Sequence, residues 1–316
     1  MDEIQFNNMI ILFIKQNYKK ILLFTIVSIL LVLISYIVTI SLLKKPTFNN
    51  EDIITEKNKL VVLISLDGLG SNLIGENTQF LSSLLNQQNV SYTLDMQTIE
   101  QSETMPSHVS MVTGLKQENH EFYLNSLLPD TPPIEEGTLF DYALENGYTF
   151  STFLTKDKLL YLLGEKTGYN IVSQEQYSSE VMTDIDELVK PDSSKLFVFL
   201  HFRDIDSYGH IYGWNSNEQQ VALKTLDQNL ELLIEDIREE FQDYERYYIF
   251  TADHGGEGTQ HSNGCEACRR IPFILLSENT DNDYNITRPL ENIYDTTCVV
   301  LDIMKDTVNR DLDCTR

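Results

Sequence analysis

A run of 23 uncharged residues at 21–43 (ILLFTIVSILLVLISYIVTISLL) is bracketed by Lys19 and Lys20 on one side and by Lys44 and Lys45 on the other. It has no polar face to turn toward water, and it is long enough to cross a bilayer of about 30 Å. No small-residue cleavage site follows it. The pattern therefore predicts an uncleaved transmembrane signal-anchor over 21–43, preceded by a short tail at 1–20. Residues 44–59 are polar and read as a linker, and 60–316 as one globular domain.

Within that domain, four apolar runs have the length of strands: 60–66 (LVVLISL), 195–202 (KLFVFLHF), 246–252 (RYYIFTA) and 271–276 (IPFILL). Nearly continuous apolar runs of this kind, without alternation, predict strands buried on both faces. Helical patterns lie between them. Residues 138–146 run up to Gly147, 217–241 carry Val221, Leu223, Leu226, Leu230, Leu233, Ile234 and Ile237 near helical spacing, and 291–304 form a last candidate. This alternation predicts an α/β fold with a mostly parallel central sheet flanked by helices. In such folds ligands collect at the carboxyl ends of the strands. There is no internal repeat.

Charge narrows the partners. The chain has 23 Lys and Arg against 48 Asp and Glu, and beyond residue 60 the balance is sixteen bases to forty-three acids. No basic surface is available to neutralise a phosphate polymer, so nucleic acid is not expected as a partner. Lysines flank the apolar run almost evenly, Lys15, Lys19 and Lys20 before it and Lys44, Lys45, Lys57 and Lys59 after it, so they do not set its orientation. Two features place the domain on the extracellular or lumenal side. Asn89 and Asn285 each begin a glycosylation sequon. All four cysteines, Cys265, Cys268, Cys298 and Cys314, follow the span, an even number suited to disulfides. Cys265 and Cys268 form a C-x-x-C with no second such pair, which favours a local disulfide or pairing with Cys298 and Cys314 over a structural zinc.

The strand ends carry the chemistry. The run at 60–66 ends in Asp67-Gly68, and the run at 195–202 leads into Asp204, Asp206 and His210. The run at 246–252 ends in Asp253-His254-Gly255, with His261 seven residues after His254. Singly, each of these residues reads as a turn, a cap or a structural histidine. Together they bring carboxylates and imidazoles from distant positions to one edge, as a site for two metal ions requires. Three of the six histidines fall in the set, which favours zinc, or manganese, over magnesium. In 102–114 (SETMPSHVSMVTG), Pro106 suits the first turn of a helix and sets the Thr104 hydroxyl near its N-terminus, where an alkoxide is stabilised. The competing reading makes Thr104 or Ser102 a helix cap.

These segments together resemble the alkaline phosphatase superfamily, and within it the type I phosphodiesterase/nucleotide pyrophosphatase family, from about Val61 to Met304. The resemblance rests on Asp67 at a strand end, Thr104 in TMPSH, Asp206-Ser207, Gly209, His210 and Gly213 in the D-S-x-G-H-x-x-G pattern, and Asp253-His254-Gly255. It implies two divalent metals, Asp206, His210 and His261 holding one and Asp67, Thr104, Asp253 and His254 the other. It also implies Thr104 as nucleophile and a phosphodiester small molecule, a nucleotide or a lipid head group, as substrate. Ser107 stands where the family usually has an Asn that steadies a phosphoryl oxygen, and Asn125 corresponds to a recurrent Asn after a turn that is commonly His-Gly and is Glu118-Asn119-His120-Glu121 here. Both are candidate substrate-binding residues. No arginine or lysine lies near Thr104 in sequence other than Lys116, which favours a diester over a more highly charged monoester.

The same resemblance leaves alternatives. Membrane-bound relatives transfer phosphoethanolamine with this kind of site but usually carry many spans after the catalytic domain. A sulfatase needs a Cys or Ser in a C/S-x-P-S-R pattern where this chain has Thr-Met-Pro-Ser-His. A catalytically inactive, membrane-tethered binding domain is the non-enzymatic reading.

Overall fold

The computed structural model describes residues 57–128, 130–174, 176–178, 193–262, 264–280, 286 and 289–305, and in the N-terminal unit residues 7–9, 11, 15–18 and 20. The apolar run at 21–43, the sequon at Asn285 and Cys314 lie outside the described residues, among which no helix is long and apolar enough to cross a membrane. Lys57–Arg316 forms one compact unit.

Its frame is a seven-stranded sheet in the order β2-β7-β6-β1-β5-β3-β4. At its centre β1 (Lys59–Leu66) is buried along its whole length. It pairs in parallel with β5 (Lys195–Phe202) on one side and β6 (Glu245–Thr251) on the other. β3 (Thr149–Leu154) adds to β5 and β4 (Asn170–Ser173) to β3, both parallel. β7 (Arg270–Glu278) pairs antiparallel with β6 and with β2 (Val90–Gln97). The sheet is therefore mixed, not mostly parallel as the sequence pattern suggests. A nearly continuous apolar run reports burial on both faces, and β7 is buried between its two end residues as β1 is throughout, but burial does not encode direction.

Helices cover the sheet: α1 (Gln79–Leu84), α2 (Thr104–Thr113), α3 (Gln117–His120), α4 (Leu139–Glu145), α5 (Asp204–Tyr212), α6 (Asn217–Glu240), α7 (Glu266–Arg269) and α8 (Asp295–Met304). Local chemistry explains their ends. Thr138 and Asp141 form a reciprocal capping box at the start of α4. The Ser216 hydroxyl accepts from the Gln219 N–H at the start of α6. Along α6 Leu223, Leu226, Leu230, Leu233, Ile234 and Ile237 are buried, whereas Val221 faces solvent. α8 begins at Asp295 rather than 291, because the Asp295 carboxylate accepts from the Glu291 and Asn292 N–H groups and turns the chain just before the helix.

The register aligns one edge. Leu66 pairs with Phe202, Ser65 with Thr251 and Leu154 with His201, so β1, β5, β6 and β3 end level with one another. The residues just beyond each strand are thereby delivered to the same rim. Gly68, two residues past the end of β1, has φ +81°, and a Cβ there would lie 2.8 Å from the backbone N and Cα of Asp206. Only glycine permits that approach, which the Asp206 N–H seals by donating to the Asp67 carbonyl at 3.0 Å.

Candidate active site

Asp67 comes directly after β1, Asp206 lies in the first turn of α5 and His210 one turn later, Asp253 and His254 come just after β6, and His261 belongs to the loop beyond. Facing atoms of Asp206, His210 and His261 lie within 4.8 Å of one another, and so do those of Asp67, Asp206 and His254. The first group is the set expected for one metal. In the second, Asp206 stands between the two groups. Asp253 lies beside it, its Oδ2 3.3 Å from His254 Nε2.

The imidazoles are oriented from behind. His210 Nδ1 lies 3.0 Å from the Thr259 carbonyl, His254 Nδ1 2.9 Å from that of Gly255, and His261 Nδ1 2.6 Å from that of Ser102. A carbonyl oxygen only accepts, so each Nδ1 carries the proton and each neutral ring turns its Nε2 lone pair inward. There the lone pairs meet acceptors. His210 Nε2 and His261 Nε2 are 3.3 and 3.6 Å from Asp206 Oδ1, and His254 Nε2 is 3.5 Å from Asp67 Oδ1. Asp67 Oδ1, Asp206 Oδ1, Asp253 Oδ2 and His254 Nε2 are buried without a hydrogen-bond partner. Such a convergence of buried lone pairs is costly unless a cation sits among them, so these residues fit divalent metals with nitrogen and oxygen ligands.

The electrostatics agree. Burial, then the charges of Asp67 and Asp206, push the Asp253 carboxyl well above the usual range. Burial alone would raise Asp67 too, but the Lys156 ammonium and the His201 hydrogen bond hold it well below. Burial and the neighbouring His254 lower His261 to about 4, so its ring is neutral at pH 7. Contact with the Asp206 carboxylate raises His210 against the opposing effect of burial.

Thr104 opens α2 and is buried; the residue in the cap position is Glu103, whose side chain makes no capping hydrogen bond. The Thr104 hydroxyl is thus not spent on capping. Asn125 is brought to the same spot, its Oδ1 accepting from the Met105 N–H at 3.1 Å. Ser107 is not: it is fully buried one turn along α2, accepts from the Thr98 hydroxyl at 3.0 Å, and has no hydrogen bond that reaches the cluster. Asn89 is half-buried and its side-chain amide donates to the Ser277 carbonyl at 2.8 Å, which occupies the nitrogen a glycan would take. Cys265 and Cys268 are joined in a disulfide beside His261, and Cys298 is disulfide-bonded as well.

Sequence reasoning missed two site residues. Lys156 Nζ lies 2.6 Å from Asp67 Oδ2, 2.8 Å from Asp206 Oδ2 and 3.4 Å from Thr104 Oγ1. A cation does stand beside the Thr104 hydroxyl, which removes the charge argument for a diester over a monoester. His201, in β5, donates from Nε2 to Asp67 Oδ2 at 2.9 Å. Behind them His108 is buried, its Nδ1 on the Thr104 carbonyl at 2.7 Å and its Nε2 on Ser65 Oγ at 2.8 Å, so it braces the first turn of α2.

The model of the family described as type I phosphodiesterase/nucleotide pyrophosphatase matches residues 61–138 and 165–271, more than half of the chain and nearly all the segments just described. The chain belongs to that family. Among curated proteins, GPI ethanolamine phosphate transferase 1 of Yarrowia lipolytica is 26% identical over 202 residues, 55% of this chain. The matched part is 21% of that protein, so the chain spans only a small share of such relatives. Among solved structures, the C-terminal periplasmic domain of EcEptC from Escherichia coli in complex with Zn has a TM-score of 0.60 at 15% identity, covering 80% of this chain and 85% of that one. Murine ectonucleotide pyrophosphatase/phosphodiesterase 5 in complex with AMP has a TM-score of 0.64 at 12% identity, covering 80% and 96%. The chain therefore shares its fold with both of these proteins.

Proposed function

We propose that this domain is a metal-dependent phosphodiesterase in which Thr104 is the nucleophile. The observation that carries the reading is the inward convergence of three imidazole lone pairs and three carboxylates beside an uncapped, buried threonine hydroxyl. Asp206, His210 and His261 would hold one divalent ion, and Asp67, Thr104, Asp253 and His254 the other. Zinc suits this donor set best and manganese next. When bound, the ions supply Lewis-acid stabilisation of the phosphoryl oxygens and acidify the hydroxyl.

The chain's own groups do the rest. The Thr104 Oγ–P bond forms as the ester P–O bond breaks, its electron pair leaving with the alcohol oxygen, and the hydroxyl proton passes to solvent. Lys156, kept protonated by Asp67 and Asp206 despite its burial, stabilises the threonine alkoxide and cannot act as the base. Asn125 holds the start of α2 in place. Water then displaces Thr104 and regenerates the free hydroxyl.

A second reading, transfer of a phosphoethanolamine-type group to an alcohol instead of water, is favoured by the names of the curated relatives. Membrane anchoring at 21–43 and an extracellular or lumenal domain belong to the same proposal. The apolar run and the Cys265–Cys268 disulfide, a bond that persists in oxidising compartments, support them.

The test is turnover by the detergent-solubilised, zinc-loaded chain of bis-p-nitrophenyl phosphate against p-nitrophenyl phosphate, with chelator and Thr104→Ala controls. Chelator-sensitive cleavage that prefers the diester is the expected result, and monoester preference moves the assignment to a phosphatase. A glycerol adduct formed in place of the hydrolysis product would select the transferase reading. Full activity of Thr104→Ala would sink the mechanism.

A further inference from the structure

Lys158 is the second basic side chain that the chain presents at the rim of the site just beyond β3, in the 3-10 turn Asp157–Leu163. It is half-buried and, unlike Lys156, forms no ion pair among the described residues. Its Nζ donates to Asn125 Oδ1 at 2.9 Å and to the Asn125 carbonyl at 3.4 Å. The same Oδ1 accepts from the Met105 N–H, next in chain to Thr104, so one amide oxygen fixes the ammonium beside the nucleophile. Burial and the adjoining Lys156 charge lower its pKa, outweighing the opposing charges of Asp67, Asp253 and Asp206, with none of which it pairs directly. Asp157, between the two lysines, is exposed and accepts from the Ser173 hydroxyl, so it does not neutralise them.

A half-buried ammonium whose hydrogen bonds go only to amide oxygens costs stability, and its pre-set position suits a negative charge arriving with a ligand. A simple phosphodiester brings one charge, to be shared by the metals and Lys156. A further cation has nothing to bind unless the substrate brings more. We propose that Lys158, held by Asn125, binds a second anionic group, a carboxylate or a phosphate, on one ester arm of the substrate. The substrate class is then a phosphodiester with an acidic group close to phosphorus. This inference rests on Thr104 being the nucleophile.

The test compares two diesters with the same leaving group, methyl p-nitrophenyl phosphate and carboxymethyl p-nitrophenyl phosphate, on the zinc-loaded full chain. The expected result is a KM lower by about tenfold or more for the carboxymethyl ester, the range of a charge-assisted hydrogen bond. Lys158→Ala should bring the ratio of the two KM values near one. Lys158→Arg should keep most of the ratio, and Asp157→Asn should leave it as it is, which separates a local contact from a change in net charge. Equal KM values in the wild type, or an undiminished ratio in Lys158→Ala, overturns the proposal while turnover of the methyl ester still upholds the nucleophile. If neither ester turns over, calorimetric titration of Thr104→Ala with dimethyl phosphate and carboxymethyl methyl phosphate decides instead. Tighter binding of the second, lost in Lys158→Ala, supports the subsite, and equal binding overturns it.

Discussion

His210 Nε2 and His261 Nε2 face each other at 3.1 Å, both rings tied back through Nδ1 to backbone carbonyls. In their neutral forms these two imidazoles have no proton to share, and Asp206 Oδ1 adds a third lone pair. Zinc should therefore stabilise the folded chain. At a hundredfold excess over Kd the gain is about 2.7 kcal/mol, a rise in Tm of about 5–10 °C for a domain of this size. Differential scanning calorimetry with zinc and with chelator checks it, and His261→Ala should lose most of the rise. An equal rise in that variant would show that zinc binds elsewhere.

Thr104 makes no capping bond, so changing it should spare the fold and abolish turnover. Thr104→Ala is expected to lose at least about 10³-fold in kcat, with a Tm within about 2 °C of the wild type, and Thr104→Ser to recover part of the rate. Equal loss in Ala and Ser, with zinc stabilisation also gone, would instead make Thr104 chiefly a ligand.

How much of this was legible beforehand depended on whether a residue came after a recognisable strand. Asp67, Asp253 and His254 did, because the runs ahead of them are mostly apolar without alternation, and their placement at one edge could be inferred from the α/β pattern. Lys156 obeys the same rule but lies after β3, whose sequence TFSTFL mixes hydroxyls into the run and does not stand out as a buried strand, although five of its six residues are buried. His201 was hidden for the opposite reason. It sits inside an apolar run, where a single polar residue reads as core, and its meaning comes from the pairing of β5 with β1 that puts it behind Asp67. β2 escaped notice as a largely half-buried edge strand, and the reversal of β7 as a matter of direction rather than composition. Ser107 stands where the resemblance puts an Asn, but its hydroxyl accepts from Thr98.

The approach of Asp67 to Asp206 depends on Gly68. In Gly68→Ala the new methyl would meet the backbone of Asp206 at a φ that L-residues rarely adopt. Strain and overpacking together should cost about 3 kcal/mol. Because the displaced segment is the start of α5, turnover should fall further than the loss of folded protein accounts for. Urea unfolding alongside kcat, corrected for the folded fraction, checks this. Wild-type kcat in the folded fraction would show that the turn matters for stability alone.

His120 supplies a pH dependence that is independent of the metals. Its Nε2 lies 2.8 Å from Ser110 Oγ, and its Nδ1 accepts from the Phe122 N–H at 3.1 Å. Protonating Nδ1 would set two hydrogens against each other, and burial lowers the ring's pKa to about 4. The unfolded chain, with a histidine pKa of about 6.5, takes up the proton more readily than the folded one. His120 therefore leaves stability intact above about pH 6.5 and erodes it as pH falls from there toward 4. Asn at this position can still offer an oxygen to the Phe122 N–H but does not titrate. His120→Asn should thus show a shallower fall in Tm between pH 6.5 and 4 than the wild type, measured in chelator so that metal loading does not vary. Parallel profiles in the two proteins would mean that the acid sensitivity lies in other groups.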